Sequence, residues 1–257
     1  MAAPEPNPPG EPAEQGLLEH LAELRDRLLK AVAIVLVGFL TLVPFAQELY
    51  GWLAEPLLSR LPEGGQLVAI EVAGPFLTPI KMAFFTALIV TMPLVLYQAW
   101  AFVAPALYRN EKRLAVPLLV SGTLLFYIGC AFAYFLVMPV VFGFLASVTP
   151  DGVAMMTDIG RYLDFVVMLF LAFGLCFEVP VATVIVVATG WLSVEQLKRS
   201  RPYVIVGAFV IGAIFTPPDV LSQVMLAVPM CLLFELGLVA SAALVRRRSG
   251  AIEAQEN

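Results

Sequence analysis

Apolar residues gather into six long blocks along this chain, at Leu28–Phe45, Phe76–Val103, Leu114–Leu145, Tyr162–Thr189, Pro202–Phe215 and Val220–Val245, with polar stretches between them. About 20 consecutive apolar residues cross a bilayer as a helix. The pattern therefore predicts an all-α polytopic membrane protein, a bundle of six transmembrane helices. Pro44, Pro93, Pro117, Pro139, Pro180 and Pro229 fall inside or at the ends of the blocks. Each removes a backbone donor, so the helices are expected to be kinked. The third block would extend about 48 Å and the fifth only about 21 Å, against a hydrocarbon core of about 30 Å. The long one must tilt or project. The short one must be shielded by protein, draw the bilayer inward, or continue into Lys198–Arg201 by snorkelling.

Between the first two blocks, residues Ala46–Pro75 carry Trp52, Leu53, Leu57, Leu58 and Leu61 at helix-like spacing, interrupted by Pro56, Pro62, Gly64 and Gly65. This predicts a broken cap lying on the bilayer. No internal repeat is visible. Residues 1–16 combine Pro4, Pro6, Pro8, Pro9 and Pro12 with acids and are expected to be a disordered leader. With no Lys or Arg, that leader lacks the charged start of a cleaved secretory signal. Residues 17–245 form one six-helix domain on this reading, and 246–257 a tail.

Charge sets the direction. Three basic residues lie before or at the start of the first block (Arg25, Arg27, Lys30), three lie between the second and third (Arg109, Lys112, Arg113), three between the fourth and fifth (Lys198, Arg199, Arg201), and three follow the last (Arg246, Arg247, Arg248). Arg60, Lys81 and Arg161 remain for the other face. The positive-inside rule makes the basic face cytoplasmic, with both termini on that side of a bacterial inner membrane. Composition agrees: 60% of residues are hydrophobic and 14% charged, where soluble domains have about 45–50% and about 25%. The net charge of −5 owes much to acids in the two terminal segments.

Candidate chemistry is sparse. Cys130, Cys176 and Cys231 each stand alone in a separate block, which suits inert packing. His20 sits on an amphipathic helix without companion ligands, and no nucleotide-binding or hydrolytic motif is present. Neither catalysis nor a cofactor is expected. Glu23 lies four residues before Arg27, either an ordinary helix-surface pair or a carboxylate offered to an incoming cation. Glu111 sits among Arg109, Lys112 and Arg113, just after Trp100, Phe102 and Tyr108. It either offsets its neighbours or, with Glu23, receives guanidinium groups in bidentate geometry. Glu178, inside an apolar block, is costly to bury and must face protein or water. It contacts a partner or a passing substrate, or it is a hydrogen-bonded or protonated acid of the bundle. Glu235 and Gln223 are weaker candidates.

The segments HLAELRDRLL (His20–Leu29), PFLTPIK (Pro75–Lys81), YQAWAFVAPALYRNEKR (Tyr97–Arg113), LLFYIGCAFAYF (Leu124–Phe135), FGFLA (Phe142–Ala146), AFGLCFEVPV (Ala172–Val181), RPYVIVGAF (Arg201–Phe209) and TPPDVLSQ (Thr216–Gln223) together resemble the TatC family of twin-arginine translocase subunits. The resemblance implies a concave, glove-like bundle that receives twin-arginine signal peptides of folded proteins. Glu23 and Glu111 would bind the paired arginines, with Arg25, Phe102 and Arg109 shaping that surface. It further implies partner-related or intramembrane roles for Glu178, for Pro56 in the loop, for Asp219 in the Pro217-Pro218-Asp219 turn and for nearby Gln223. Asn110 departs from the family's usual basic residue. Expected partners are single-span TatA-like and TatB-like subunits, further copies of the chain and lipid, with no nucleic acid, and transport would draw on the proton gradient. The rival reading is a small-solute secondary transporter, which would need a midplane pocket lined by several polar groups.

Overall fold

A computed structural model describes residues 11–58, 66–107, 112–150, 156–215 and 220–256. The chain is built from helices α1 (Glu11–Leu42), α2 (Ala46–Leu58), α3 (Gly74–Leu107), α4 (Lys112–Phe132), α5 (Met138–Ser147), α6 (Ile159–Cys176), α7 (Val179–Ala188), α8 (Val194–Arg199), α9 (Arg201–Phe215) and α10 (Val220–Glu256). Among the described residues, five helical runs are long and apolar enough to cross a membrane: Leu21–Leu53, Gly74–Phe102, Val116–Ser147, Ile159–Ala188 and Gln223–Arg246, with Arg201–Phe215 a shorter apolar helix.

The proline-marked interruptions follow a common cause. Near Pro44 a 3-10 turn, Val43–Phe45, separates α1 from α2. Before Pro139 the chain widens into a π-helical segment, Ala133–Val137, between α4 and α5; an extra residue per turn accommodates a ring that cannot donate to the preceding turn. At Pro180 the missing donor and the bulk of the ring end α6 at Cys176, and Phe177 and Glu178 form a turn before α7. By contrast, Pro117 and Pro229 lie within α4 and α10 without ending them.

Two bounds differ from the sequence expectation, and one alternative for the short fifth block falls away. Helix α1 begins at Glu11, inside the stretch expected to be structureless. Pro12 fits a first turn, which has no use for its missing donor, and Glu11 and Glu14 favour a helix N-terminus. Helix α10 continues to Glu256. Helix α9 does not extend back through Lys198: α8 is a separate helix closed at Ser200, and Pro202 stands at the start of α9.

Packing relies on close backbone approach, because lipid supplies no hydrophobic drive between helices. A β-carbon on Gly129 of α4 would stand 2.6 Å from the Phe173 carbonyl oxygen of α6, and one on Gly174 would stand 2.5 Å from the Phe126 ring. These two glycines let α4 and α6 interlock. Around them Phe126, Val137, Met138, Leu163, Val166 and Leu169 are wholly buried. At the far end of α7, Gly190 adopts φ 78°. Its N–H bonds to Val187 O at 3.0 Å while that of Trp191 bonds to Val186 O at 3.1 Å, a Schellman ending that needs a left-handed residue there.

Beyond the helices that the sequence predicts, β1 (Gln66–Val68) pairs in parallel with β2 (Met156–Asp158). Asp158 secures the pairing. One carboxylate oxygen accepts from the Gly160 and Arg161 N–H groups at 3.0 Å, capping α6, and the other accepts from Ile70 N–H at 3.0 Å. Nearby, the Tyr162 hydroxyl donates to Leu53 O at 2.7 Å, and Lys81 lies 3.6 Å from Asp164.

The backbone donor from Ile70, then that from Arg161, holds the Asp158 carboxyl below its usual range. A depressed folded-state pKa contributes stability above the unfolded value and loses it as pH falls through the folded one. Below that point the Ile70 amide is expected to exchange hydrogen faster, after correction for intrinsic rates. Asp158→Asn should reproduce this at neutral pH while Gly160 and Arg161 stay protected, because one oxygen survives as acceptor and the other becomes a donor. Unchanged Ile70 protection in the variant would refute the link.

Candidate recognition surface and intramembrane carboxylate

Glu23 and Arg27 stand one turn apart on α1, and Arg27 reaches both the Glu23 carboxylate at 3.4 Å and the Gln98 side-chain oxygen of α3 at 3.5 Å. Both distances are long for hydrogen bonds. Glu23 is half-buried and so is Arg27. Phe102 follows Gln98 by one turn on α3 and is also half-buried. Glu23, Arg27, Gln98 and Phe102 thus mark one end of the α1–α3 pair. Arg25 turns elsewhere, pairing with its neighbour Asp26 at 2.8 Å on the exposed side. Arg109 and Glu111 lie outside the described residues, as does Asp219; Pro56 falls within α2. Gln98 carried no distinguishing signal in the sequence, and its link to Arg27 depends on the pairing of two helices distant in the chain.

Glu178 occupies the turn between α6 and α7 and faces α4. A β-carbon on Gly122 would lie 2.9 Å from its Oε2, and its Oε1 is buried with no hydrogen-bond partner among the described residues. An unmatched carboxylate oxygen at this depth is a position for a donor to occupy. On the role that the resemblance implies, replacing Glu178 by alanine is expected to leave twin-arginine peptide binding within about twofold, about a third of the 1.4 kcal/mol that a tenfold change represents, and to reduce export. Gly122→Ala, which crowds the carboxylate without removing it, should give the same division. The check is peptide affinity alongside export of a reporter; intact export by both variants would show that the carboxylate is structural.

Gln223 of α10 donates to Phe209 O of α9 at 2.9 Å, and its side chain lies against Gly212. It joins the two helices. Nearer the other end, Arg201 grips Glu235 with two contacts of 2.7 Å, a bidentate pair that sequence spacing could not show across 34 positions. Between these ties runs an apolar groove of about 340 Å³ lined by Val204, Ile205, Phe209, Val228 and Leu232 among others.

A cavity beside Thr86, Val167 and Phe170 holds about 20 Å³. That is room for about one water, far less than the 300–1,000 Å³ typical of small-molecule sites. No cluster of three or more metal-ligating side chains occurs among the described residues.

Residues 19–229 match the family model of the Sec-independent protein translocase protein TatC. The chain is 55% identical over 243 residues to the Sec-independent protein translocase protein TatC of Azotobacter chroococcum, covering 95% of each. It is 56% identical over 224 residues to that of Escherichia coli K12, covering 87% of each. A crystal structure described as the twin arginine translocase receptor TatC superimposes with a TM-score of 0.78 at 38% identity, covering 87% of this chain and 98% of the other.

Proposed function

This chain belongs to the TatC family of Sec-independent protein translocase proteins, and on that premise we propose that it is the receptor and core subunit of a twin-arginine export system. It is a multi-pass membrane translocase component, not an enzyme. The proposal places it in the bacterial cytoplasmic membrane with six crossings and both termini in the cytoplasm, as the distribution of Lys and Arg favours.

The observation that carries the reading is the Glu23–Arg27–Gln98 arrangement, one helical turn along α3 from Phe102. A carboxylate already held by a guanidinium at long range can exchange that partner for an incoming arginine, which brings planar bidentate geometry. Glu111 supplies the second carboxylate. The membrane potential opposes outward movement of each arginine by about 2.3 kcal/mol per 100 mV, so the signal peptide keeps its arginines at the cytoplasmic surface while its apolar part passes Glu178. Single-span TatA-like and TatB-like subunits dock along the α9–α10 groove, which offers an apolar helix a matching wall. Further copies of the chain complete the assembly, and the proton gradient drives transport of folded cargo.

The test is site-specific photocrosslinking from positions 23, 102 and 111 to a twin-arginine signal peptide and to its twin-lysine version at fixed salt. Crosslinks with arginine that fade with lysine are expected. Crosslinks with neither peptide would remove the site assignment.

A further inference from the structure

The apolar window of α10 ends at Arg246, where a run of three arginines begins. There a pocket of about 460 Å³ opens between α10, the turn after α7, and α8. Lys198, in the last turn of α8, and Arg246 both line it, and neither forms an ion pair among the described residues. Val187 and Ala242 supply apolar wall. Ser193 and Gln196 line it too, but each is occupied in the reciprocal cap of α8, at 3.2 and 2.7 Å. Glu195 is the carboxylate that opposes an anion there.

Two cations from separate elements would suit a phosphate, and the surroundings choose its carrier. Leu232, Leu236 and Val239 are all more than half exposed. They form a stripe at helical spacing along α10 that continues towards Arg246. Trp191, 78% exposed, stands beside the pocket as an interfacial anchor. A ligand that satisfies the cations and the stripe together has a phosphodiester and acyl chains. Basic pockets between membrane helices hold anionic headgroups on this principle.

We propose that this pocket binds the phosphodiester headgroup of an anionic phospholipid, with its acyl chains along the Leu232–Leu236–Val239 stripe. None of the pocket's residues belongs to the signal-peptide surface or to the α9–α10 groove, whose Leu232 meets only the far end of the acyl chains, so the headgroup site stands or falls independently of that function.

The full chain in detergent is mixed with phosphatidylglycerol or phosphatidylcholine, and retained lipid is counted by native mass spectrometry. Phosphatidylglycerol is expected to be retained at least about tenfold better. At about fivefold for each basic side chain, Lys198→Gln with Arg246→Gln should lower its retention about thirtyfold, while Arg199→Gln, outside the pocket, retains it. Glu195→Gln should raise retention, a gain that misfolding cannot produce. Equal retention of both lipids, or undiminished retention by the double variant, would overturn the site. So would no gain from Glu195→Gln. Displacement of the lipid by millimolar inorganic phosphate would mark a free-phosphate site and overturn the lipid assignment, whereas retention of an acidic peptide in place of the lipid would overturn it in favour of a protein partner.

Discussion

Replacing Gly237 by valine is expected to remove most of the protein from the membrane fraction. A β-carbon at this position of α10 would run into the Thr183 hydroxyl of α7 and stand 2.9 Å from the Pro180 Cα. Neither neighbour yields without loss. Pro180 contributes backbone, and Thr183 is tied to Val179 O at 3.0 Å and Pro180 O at 2.7 Å. One turn on, Ser241 is wholly buried and donates to Gly237 O at 2.7 Å. Glycine and serine four apart let the helices approach as small residues do throughout membrane bundles. Overpacking costs about 1–3 kcal/mol and sometimes more. The carbons of valine force either the helices or the hydroxyl away, and a displaced hydroxyl loses its acceptors. Gly207→Val, where nothing lies within 4 Å of the added atom, is the matched control. Membrane abundance and thermal unfolding in detergent decide: equal values for the two variants would mean that α7 and α10 do not meet this closely.

The second large effect concerns recognition. Glu111→Ala is expected to weaken binding of a twin-arginine signal peptide by tenfold or more. A hydrogen bond to a charged group contributes about 1.5–3 kcal/mol, which corresponds to a loss of about tenfold to a hundredfold. The twin-lysine peptide should lose less, since an ammonium makes no planar two-point contact. Fluorescence anisotropy with labelled peptides at one ionic strength measures both, and Glu195→Ala supplies a carboxylate deletion elsewhere on the chain. If the Glu111 variant binds the arginine peptide as well as the unaltered chain does, the loop carboxylate is not part of the site.

Legibility followed the range of the interactions. Hydropathy is local, so the apolar blocks reappear within helical runs, and the interruption before Pro180 is readable from one residue. The capping box of α8 is equally local, carried by Ser193 and Gln196 three residues apart. The pairing of β1 with β2 had no such mark. Three-residue strands are too short for alternation to register, and Gln66 pairs with Met156 from a distant part of the chain. The same holds at the candidate sites. Glu23 and Glu178 stood out as charges in telling places, whereas Gln98, Gly122 and Arg201 acquire meaning only from what other helices bring to them. Arg25 belonged to the expected surface, yet its resting partner is Asp26.

The doubled use of Asp158 has a genetic consequence. One carboxylate closes the start of α6 and holds Ile70 in the connection between α2 and α3, so damage on either side is transmitted through a single residue. Lesions in the two segments should therefore behave as one epistasis group, with double variants no worse than the more severe single. A suppressor screen begun from a weakened first connection would be expected to return changes in the second, many positions away in the chain and adjacent only in the fold.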